Sequence, residues 1–288
     1  MVGPTASGKS DLAVFLAERL GGEIVNYDSL QIYRGLDIGT AKSLPQNVPN
    51  HLFDILDPTE SFSAGEYSRR ARDVLAQVKG LPVFVGGTGF YLRALLEGLF
   101  PGPRRNEELR ERLQRRTSDR LHRLLRRLDR AAASRIHAND KAKLIRALEV
   151  CLQARRPMSE MWTEGRPRLE GYQVFKIGLN PPRAALYDRI NARVVRMFDG
   201  GLLEEVRALL DSGVPENAKP FESVGYAEAV AVVRGRMTWE QAVESTQTRT
   251  RHYAKRQITW FRRESDVQWL DGFGDDPNVQ QKALAMLS

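Results

Sequence analysis

The chain has 288 residues, a formal net charge of +8 and 42% hydrophobic residues, which suits one large soluble domain or two modest ones. Its single cysteine, Cys151, excludes an internal disulfide and a cysteine zinc site and fits a reducing compartment. No apolar run reaches the length of a membrane span and no signal peptide is visible, so a cytoplasmic protein with no membrane partner is expected.

The chain opens on Gly3-Pro4-Thr5-Ala6-Ser7-Gly8-Lys9-Ser10, which fits the G-x-x-x-x-G-K-[ST] phosphate-binding loop. Its glycines let backbone N–H groups turn inward around anionic oxygens, Lys9 adds a positive charge, and the Ser10 hydroxyl is placed to hold Mg²⁺. A helix from Ser10 to Leu20 is predicted by Leu12, Ala13, Leu16, Ala17 and Leu20, with its positive end on the loop. Such a loop normally follows a strand, and here that first strand is expected to be cut short. The anion stays undefined at this point: a nucleoside triphosphate is the default, and a diphosphate ester satisfies the same donors.

The stretch from Gly22 to Ser29 reads as a strand ending at Asp28, which places that carboxylate beside the loop. It suits a general base or a metal-associated carboxylate; the plainer reading is a cap for the next segment. Asp37 to Lys42 is a turn-rich loop, and His51 to Pro58 is an apolar run broken by Asp-Pro. Ser63 to Glu66 forms a capping box opening a helix to about Lys79. Leu81 to Val85 is a buried-type strand emptying into Gly86-Gly87-Thr88-Gly89. Alternating strands and helices predict an α/β fold with a parallel sheet.

After Pro101-Gly102-Pro103 the pattern turns helical and basic. Residues 104–170 carry 19 Lys and Arg against 10 Asp and Glu, so the rest of the chain is close to neutral. An inserted helical subdomain is predicted there, between core segments 1–103 and 171–288. The charge excess suits nucleic-acid contact or, equally, a salt-bridged helical surface. His137 lacks ligand-spaced companions and reads as structural. A strand is predicted from Gly171 to Leu179, then a helix with Arg189, Arg193 and Arg196 off its apolar face. Any of these could reach a diphosphate; exposed helix arginine is the plainer reading. Further helices start at Gly225-Tyr226 and at the Thr238–Gln241 capping box. From Thr248 to Arg263 basic residues and the aromatics His252, Tyr253, Trp260 and Phe261 interleave with no acidic residue, a pattern for phosphate contact and base stacking or for a helix burying an aromatic stripe.

The ordered motifs GPTASGKS, NYDS, DIGTAK, HLFDILDP, GGTGFY, IHANDKAKLIRALEV, VGY and AKRQITWFR resemble the tRNA dimethylallyltransferase (isopentenylpyrophosphate transferase) family over nearly the whole chain. The resemblance implies a P-loop NTPase-like parallel-sheet core with an inserted all-helical tRNA-binding subdomain. It implies transfer of a dimethylallyl group from dimethylallyl diphosphate, with Mg²⁺, to N6 of the adenosine just 3′ of the anticodon in the tRNA anticodon stem-loop. On the matching positions, the diphosphate would lie on Gly3 to Ser10 and Arg193, with Ser10 at the metal. Asp28 would be the catalytic base, assisted by Lys9, Thr5 and Arg193. Asp28, Ser29, Leu30, Gln31 and Thr88 would meet the flipped-out nucleotide. Arg110, the run Ala142, Lys143, Leu144, Ile145 and Arg146, and the run Lys255, Arg256, Gln257, Ile258, Thr259, Trp260, Phe261 and Arg262 would contact tRNA. The chain departs from some members around Val-Gly-Tyr, where Glu222 and Ala227 replace basic residues. A monomer is expected. A P-loop small-molecule kinase and an isopentenyltransferase acting on free adenine nucleotides share the loop and core but have no use for the basic helical insertion.

Overall fold

The computed structural model describes residues 1–43, 45–165 and 167–287. They form two compact units, Met1–Leu95 with Gly171–Ser288, and Leu96–Glu170.

Helix α1 (Lys9–Leu20) begins at Gly8, whose φ of 83° is left-handed, and no side chain caps it. Its first-turn amides are therefore left for another acceptor. Leu12, Ala13, Leu16 and Ala17 bury its inner face. Strand β1 (Gly22–Asn26) follows. It stops short of Asp28 because the Asn26 side chain bends the backbone: its Oδ1 accepts the Asp28 N–H at 2.7 Å and its Nδ2 donates to Leu52 O at 2.9 Å. The two-residue strand β2 (Asn50–His51) pairs parallel to β1. Helix α2 (Ala64–Leu75) has the Ser63–Glu66 capping box but ends before Lys79. Glu23 Oε1 accepts the Lys79 N–H at 2.9 Å and draws the chain out of the helix. Strand β3 (Leu81–Val85) pairs parallel to β1 on its other side, and α3 (Gly89–Leu96) completes this part.

The second unit contains α4 (Glu107–Gln114), α5 (Ser118–Leu128), α6 (Arg130–Arg135), α7 (Lys141–Ala154) and α8 (Met158–Met161). It opens at Leu96, ahead of the Pro101–Pro103 punctuation, because Leu96 O accepts the Leu169 N–H at 3.0 Å and ties the two ends of the insertion together. Asp140 caps α7 as its sequence position predicts. Leu121, Leu125, Leu144 and Leu148 are fully buried in its core, each contributing roughly 1.5–3 kcal/mol of burial.

The first unit resumes with β4 (Lys176–Leu179), α9 (Arg183–Asp199), α10 (Leu202–Asp211), α11 (Tyr226–Val233), α12 (Trp239–Phe261), β5 (Val267–Leu270) and α13 (Pro277–Ala285). The strand expected from Gly171 is only four residues long, since its parallel partner β5 offers a register from Val267 to Leu270 and no further. Val2 bridges in parallel to Gly178, taking its N–H to Ile177 O at 2.9 Å and accepting from Leu179 N at 3.0 Å. Val2, buried beside β4, thus lies where a strand leading into the loop would run. The carboxyl ends of β1 and β3, the loop and the middle and carboxyl half of α9 line one crevice, at the strand ends where open parallel sheets hold their ligands.

Candidate active site

The loop from Gly3 to Ser10 forms an anion cradle. Gly3, Ala6 and Gly8 all have positive φ (140°, 62° and 83°), which turns successive amides toward one point. Gly8 has no room for a side chain: a Cβ there would lie 2.7 Å from Gly274 N. The Gly274 N–H in turn donates to Ser7 O at 2.9 Å and clamps the loop from outside. The Ser7 hydroxyl is buried without a hydrogen-bond partner. Lys9 is also buried, its Nζ donating to Pro4 O at 2.7 Å. Burial pushes the Lys9 ammonium down to about 7, with Arg193 adding to that and Asp28 opposing it. A cation and a hydroxyl held this way lack an oxyanion, which fits the residues to a diphosphate.

Arg193 projects from α9 into the same space and donates Nη2 to Thr40 O at 3.1 Å. Burial lowers its guanidinium and Asp28 partly restores it. The other arginines off this helix face are placed differently. Arg189 pairs with both oxygens of Asp275, at 2.7 and 2.9 Å, and lies 3.9 Å over the Phe273 ring. Arg196 is exposed at the rim.

Asp28 stands between two cavities. One, of about 1000 Å³, is lined by the cradle from Thr5 to Ser10 and by Arg193. The other, of about 520 Å³, is lined by Ser29, Leu30, Tyr33, Phe62, Tyr91 and Tyr253 among others. Thr5, Asp28, Thr40, Arg193 and Tyr253 belong to both walls. Asp28 Oδ1 accepts the Leu30 N–H at 2.9 Å, so the capping role foreseen for it exists. Its Oδ2 lies on the side of Gly87, where a Cβ would approach it to 3.1 Å. One carboxylate oxygen anchors the turn and the other is presented to the cavities. Thr88 interlocks with this turn, its Oγ1 accepting from Ser29 N at 3.0 Å and donating to Ser29 Oγ at 3.1 Å. Gln31 Nε2 donates to Thr40 O at 3.2 Å. The structure therefore brings together Thr5, Lys9, Asp28, Ser29, Leu30, Gln31, Thr88 and Arg193.

The basic helix α12 divides against the sequence expectation. Lys255, Arg256, Thr259 and Arg262 are exposed. Phe261 is fully buried, and Gln257 is buried with Oε1 accepting from Thr5 N at 2.7 Å and Nε2 donating to Gly87 O at 3.0 Å. Ile258 packs against the cluster around Leu186 and Ile190. Trp260 lies under the Arg93 guanidinium at 4.4 Å, its Nε1 enclosed and close to Gly89. Gln257 and Phe261 are buried and Ile258 and Trp260 half-buried, so these four pack inward where the sequence run was expected to contact tRNA: a helix with one face on α9 and α11 cannot expose every residue of a run. Of the aromatics, Tyr253 faces both cavities and donates to Gly87 O at 3.4 Å, while His252 is exposed.

In the helical unit the same correction applies to Leu144 and Ile145, which are buried in its core. Ala142 and Lys143 are exposed, Lys143 pairing with Asp140 at 2.5 Å. Arg110 and Arg146 converge on Glu149, which has no exposed surface: Oε1 accepts from Arg110 Nε at 3.0 Å and Asn106 N at 2.8 Å, Oε2 from Arg146 Nη1 at 2.6 Å. Burial raises the Glu149 carboxyl, but these bonds together hold it below its ordinary range. His137 accepts the Asn139 N–H at 3.2 Å, a structural role. No group of three His, Cys, Asp or Glu able to hold a metal exists among the described residues.

An anion cradle at the carboxyl edge of a parallel sheet, with a carboxylate between it and a second cavity, defines a P-loop α/β group-transfer protein. A family model described as IPP transferase matches residues 31–264. The chain is 55% identical over 297 residues to the tRNA dimethylallyltransferase of Koribacter versatilis (strain Ellin345), covering 100% of this chain and 96% of that one. It is 53% identical to that of Solibacter usitatus (strain Ellin6076), covering 99% and 95%. The crystal structure of the tRNA isopentenylpyrophosphate transferase of Bacillus halodurans superposes with a TM-score of 0.72 at 37% identity, covering 99% of this chain and 93% of that one. A eukaryotic dimethylallyltransferase at 24% identity and a TM-score of 0.84 shows the same fold. The chain belongs to the IPP transferase family, a family of prenyl-transferring enzymes.

Proposed function

We propose that this chain transfers a dimethylallyl group from dimethylallyl diphosphate to N6 of the adenosine just 3′ of a tRNA anticodon, releasing diphosphate. The observation that carries the reading is the position of Asp28, on the wall common to the anion cradle and the adjoining cavity. The diphosphate lies on the loop amides, Lys9 and Arg193, with Thr5 at its edge. As the carbon–oxygen bond breaks, negative charge grows on the leaving group, and these fixed donors stabilise it. The base occupies the second cavity, extruded from its stack because a stacked N6 cannot meet the allyl carbon. The adenine amine is a weak nucleophile, its lone pair being delocalised into the ring. The Asp28 carboxylate accepts an amine proton as the new carbon–nitrogen bond forms.

Mg²⁺ fits the residues present. A hard cation that keeps several waters and takes phosphate oxygens needs few protein ligands, and the exposed Ser10 hydroxyl lines the cradle cavity. With Ser10 holding it, Mg²⁺ would supply charge neutralisation for the diphosphate. Arg110, Lys143 and Arg146 of the helical unit, with Lys255, Arg256 and Arg262, supply cations for tRNA phosphates. The kinase and free-nucleotide readings are not favoured by a family match across most of the chain.

The test is incubation of labelled dimethylallyl diphosphate with tRNA or with AMP. Label is expected in tRNA alone; label in AMP alone would overturn the acceptor assignment. Asp28→Ala is expected to lower turnover by about 10²–10⁴ with tRNA affinity kept, and unchanged turnover would remove Asp28 as the base.

A further inference from the structure

The DIGTAK loop and the Val224-Gly225-Tyr226 motif have no task in the chemistry above. They meet at Glu205 on α10. Glu205 Oε2 accepts the N–H groups of Asp37 (2.9 Å) and Ile38 (2.7 Å), and Oε1 accepts the Gly39 N–H (3.3 Å) and the Tyr226 hydroxyl (2.5 Å). Tyr226 is fully buried, and a Cβ at Gly39 would fall 2.4 Å from its ring, so the loop backbone lies directly on the tyrosine. Lys42 holds the other end, its Nζ donating to Asp37 Oδ1 and Asp54 Oδ1 at 2.5 Å each and to Tyr33 O at 2.9 Å. Between these clamps the Thr40 carbonyl points into the site. That one oxygen accepts both Arg193 Nη2 and Gln31 Nε2, and all three residues line the cradle cavity.

We infer that Glu205 is a positioning residue for prenyl transfer: by gathering three loop amides and the tyrosine hydroxyl it fixes the Thr40 carbonyl, which aims Arg193 at the leaving group. The inference rests on the reading of the cradle as a diphosphate site. It gives the Val-Gly-Tyr motif a role inside the protein that does not call on Glu222 or Ala227 beside it. A carboxylate accepts on both oxygens, whereas either orientation of an amide turns an N–H₂ donor toward a backbone N–H, that of Gly39 in one and those of Asp37 and Ile38 in the other.

The experiment compares Glu205→Gln, Tyr226→Phe and Arg193→Ala in the full chain. Calorimetry with inorganic diphosphate and Mg²⁺ reads the cradle, and transfer kinetics read turnover. For Glu205→Gln, diphosphate affinity and kcat are each expected to fall about tenfold, short of the roughly 10²-fold that a full 1 Å misplacement can cost, while tRNA affinity stays within about twofold. Combined with Arg193→Ala, Glu205→Gln is expected to add under about twofold, because both act through one group. An unchanged diphosphate affinity, or a full additional loss on top of Arg193→Ala, would overturn the inference. If Glu205→Gln does not fold, Tyr226→Phe decides, as it removes one donor and keeps the ring. Diphosphate affinity is then expected to weaken about threefold, less than for Glu205→Gln because the three loop amides still hold the carboxylate, and wild-type affinity would overturn the inference. Wild-type protein that binds diphosphate but labels no tRNA would remove the prenyl-transfer reading alone. Wild-type transfer with Glu205→Gln indistinguishable from it would remove the role of Glu205 alone.

Discussion

Lys9 illustrates what a single residue contributes before any ligand arrives. It is buried against one carbonyl, and its ammonium is pushed down to about 7. The folded value lies below the unfolded one, so the unfolded chain binds more protons in between. The stability cost of burying the charge is greatest below pH 7 and fades as pH rises toward the unfolded value. An anion on the cradle reverses the shift. At pH 8 binding of dimethylallyl diphosphate is therefore expected to take up a proton at Lys9, seen as a buffer-dependent heat in calorimetry. Lys9→Met is expected to abolish that uptake and the binding, and to raise Tm at pH 7. Uptake unchanged in Lys9→Met would place the proton elsewhere. Lys9, Ser7 and Asp28 were legible in the sequence because a loop motif and a strand end are local patterns. The inward role of Gln257 and the role of Glu205 were not, because their partners lie 252 residues away at Thr5 and 168 residues away at Asp37. Nothing in a local window marks such residues.

Among the elements, α12 shows where pattern reading loses resolution. Its run of basic and aromatic residues was readable as an interface, but a helix has a buried face whatever its composition. Phe261 and Gln257 fall on that face, Lys255, Arg256 and Arg262 off it. Phe261→Ala is expected to destabilise the protein by about 3–5 kcal/mol, read by denaturant unfolding, whereas Arg262→Ala leaves stability intact and weakens tRNA binding. In α7 the same division separates Lys143 from Leu144 and Ile145. Glu149→Gln takes the charge from under Arg110 and Arg146. It is expected to cost about 1–3 kcal/mol, visible as a lower first transition in thermal unfolding, and to weaken tRNA binding while inorganic diphosphate binds as before. Equal losses for both ligands would contradict the separation of tasks between the two units. Strand lengths were the least legible feature. The Gly171–Leu179 run has strand character along its length, yet its pairing ends where β5 ends.

For the whole molecule, the alternation of strands and helices and the change in charge at residue 104 were enough to anticipate a parallel-sheet core interrupted by a helical unit. The positive charge is concentrated in that insertion, with 19 basic against 10 acidic residues in 104–170. Affinity for tRNA is therefore expected to fall steeply with salt, and each phosphate-contacting cation removed, Lys143 for example, is expected to reduce the log–log slope by about 0.7–0.9. A slope unaffected by removing Lys143, Arg110 and Arg256 together would take these segments out of the RNA interface. Among the described residues no helix is long and apolar enough to cross a membrane.

Asp28 is a partition with two rooms, and a partition sets timing as well as place. If Asp28 is the base between donor and acceptor proposed above, proton removal waits for both to be bound, and no prenylated protein should accumulate. Initial rates with both substrates varied should give intersecting reciprocal lines, the signature of a ternary complex.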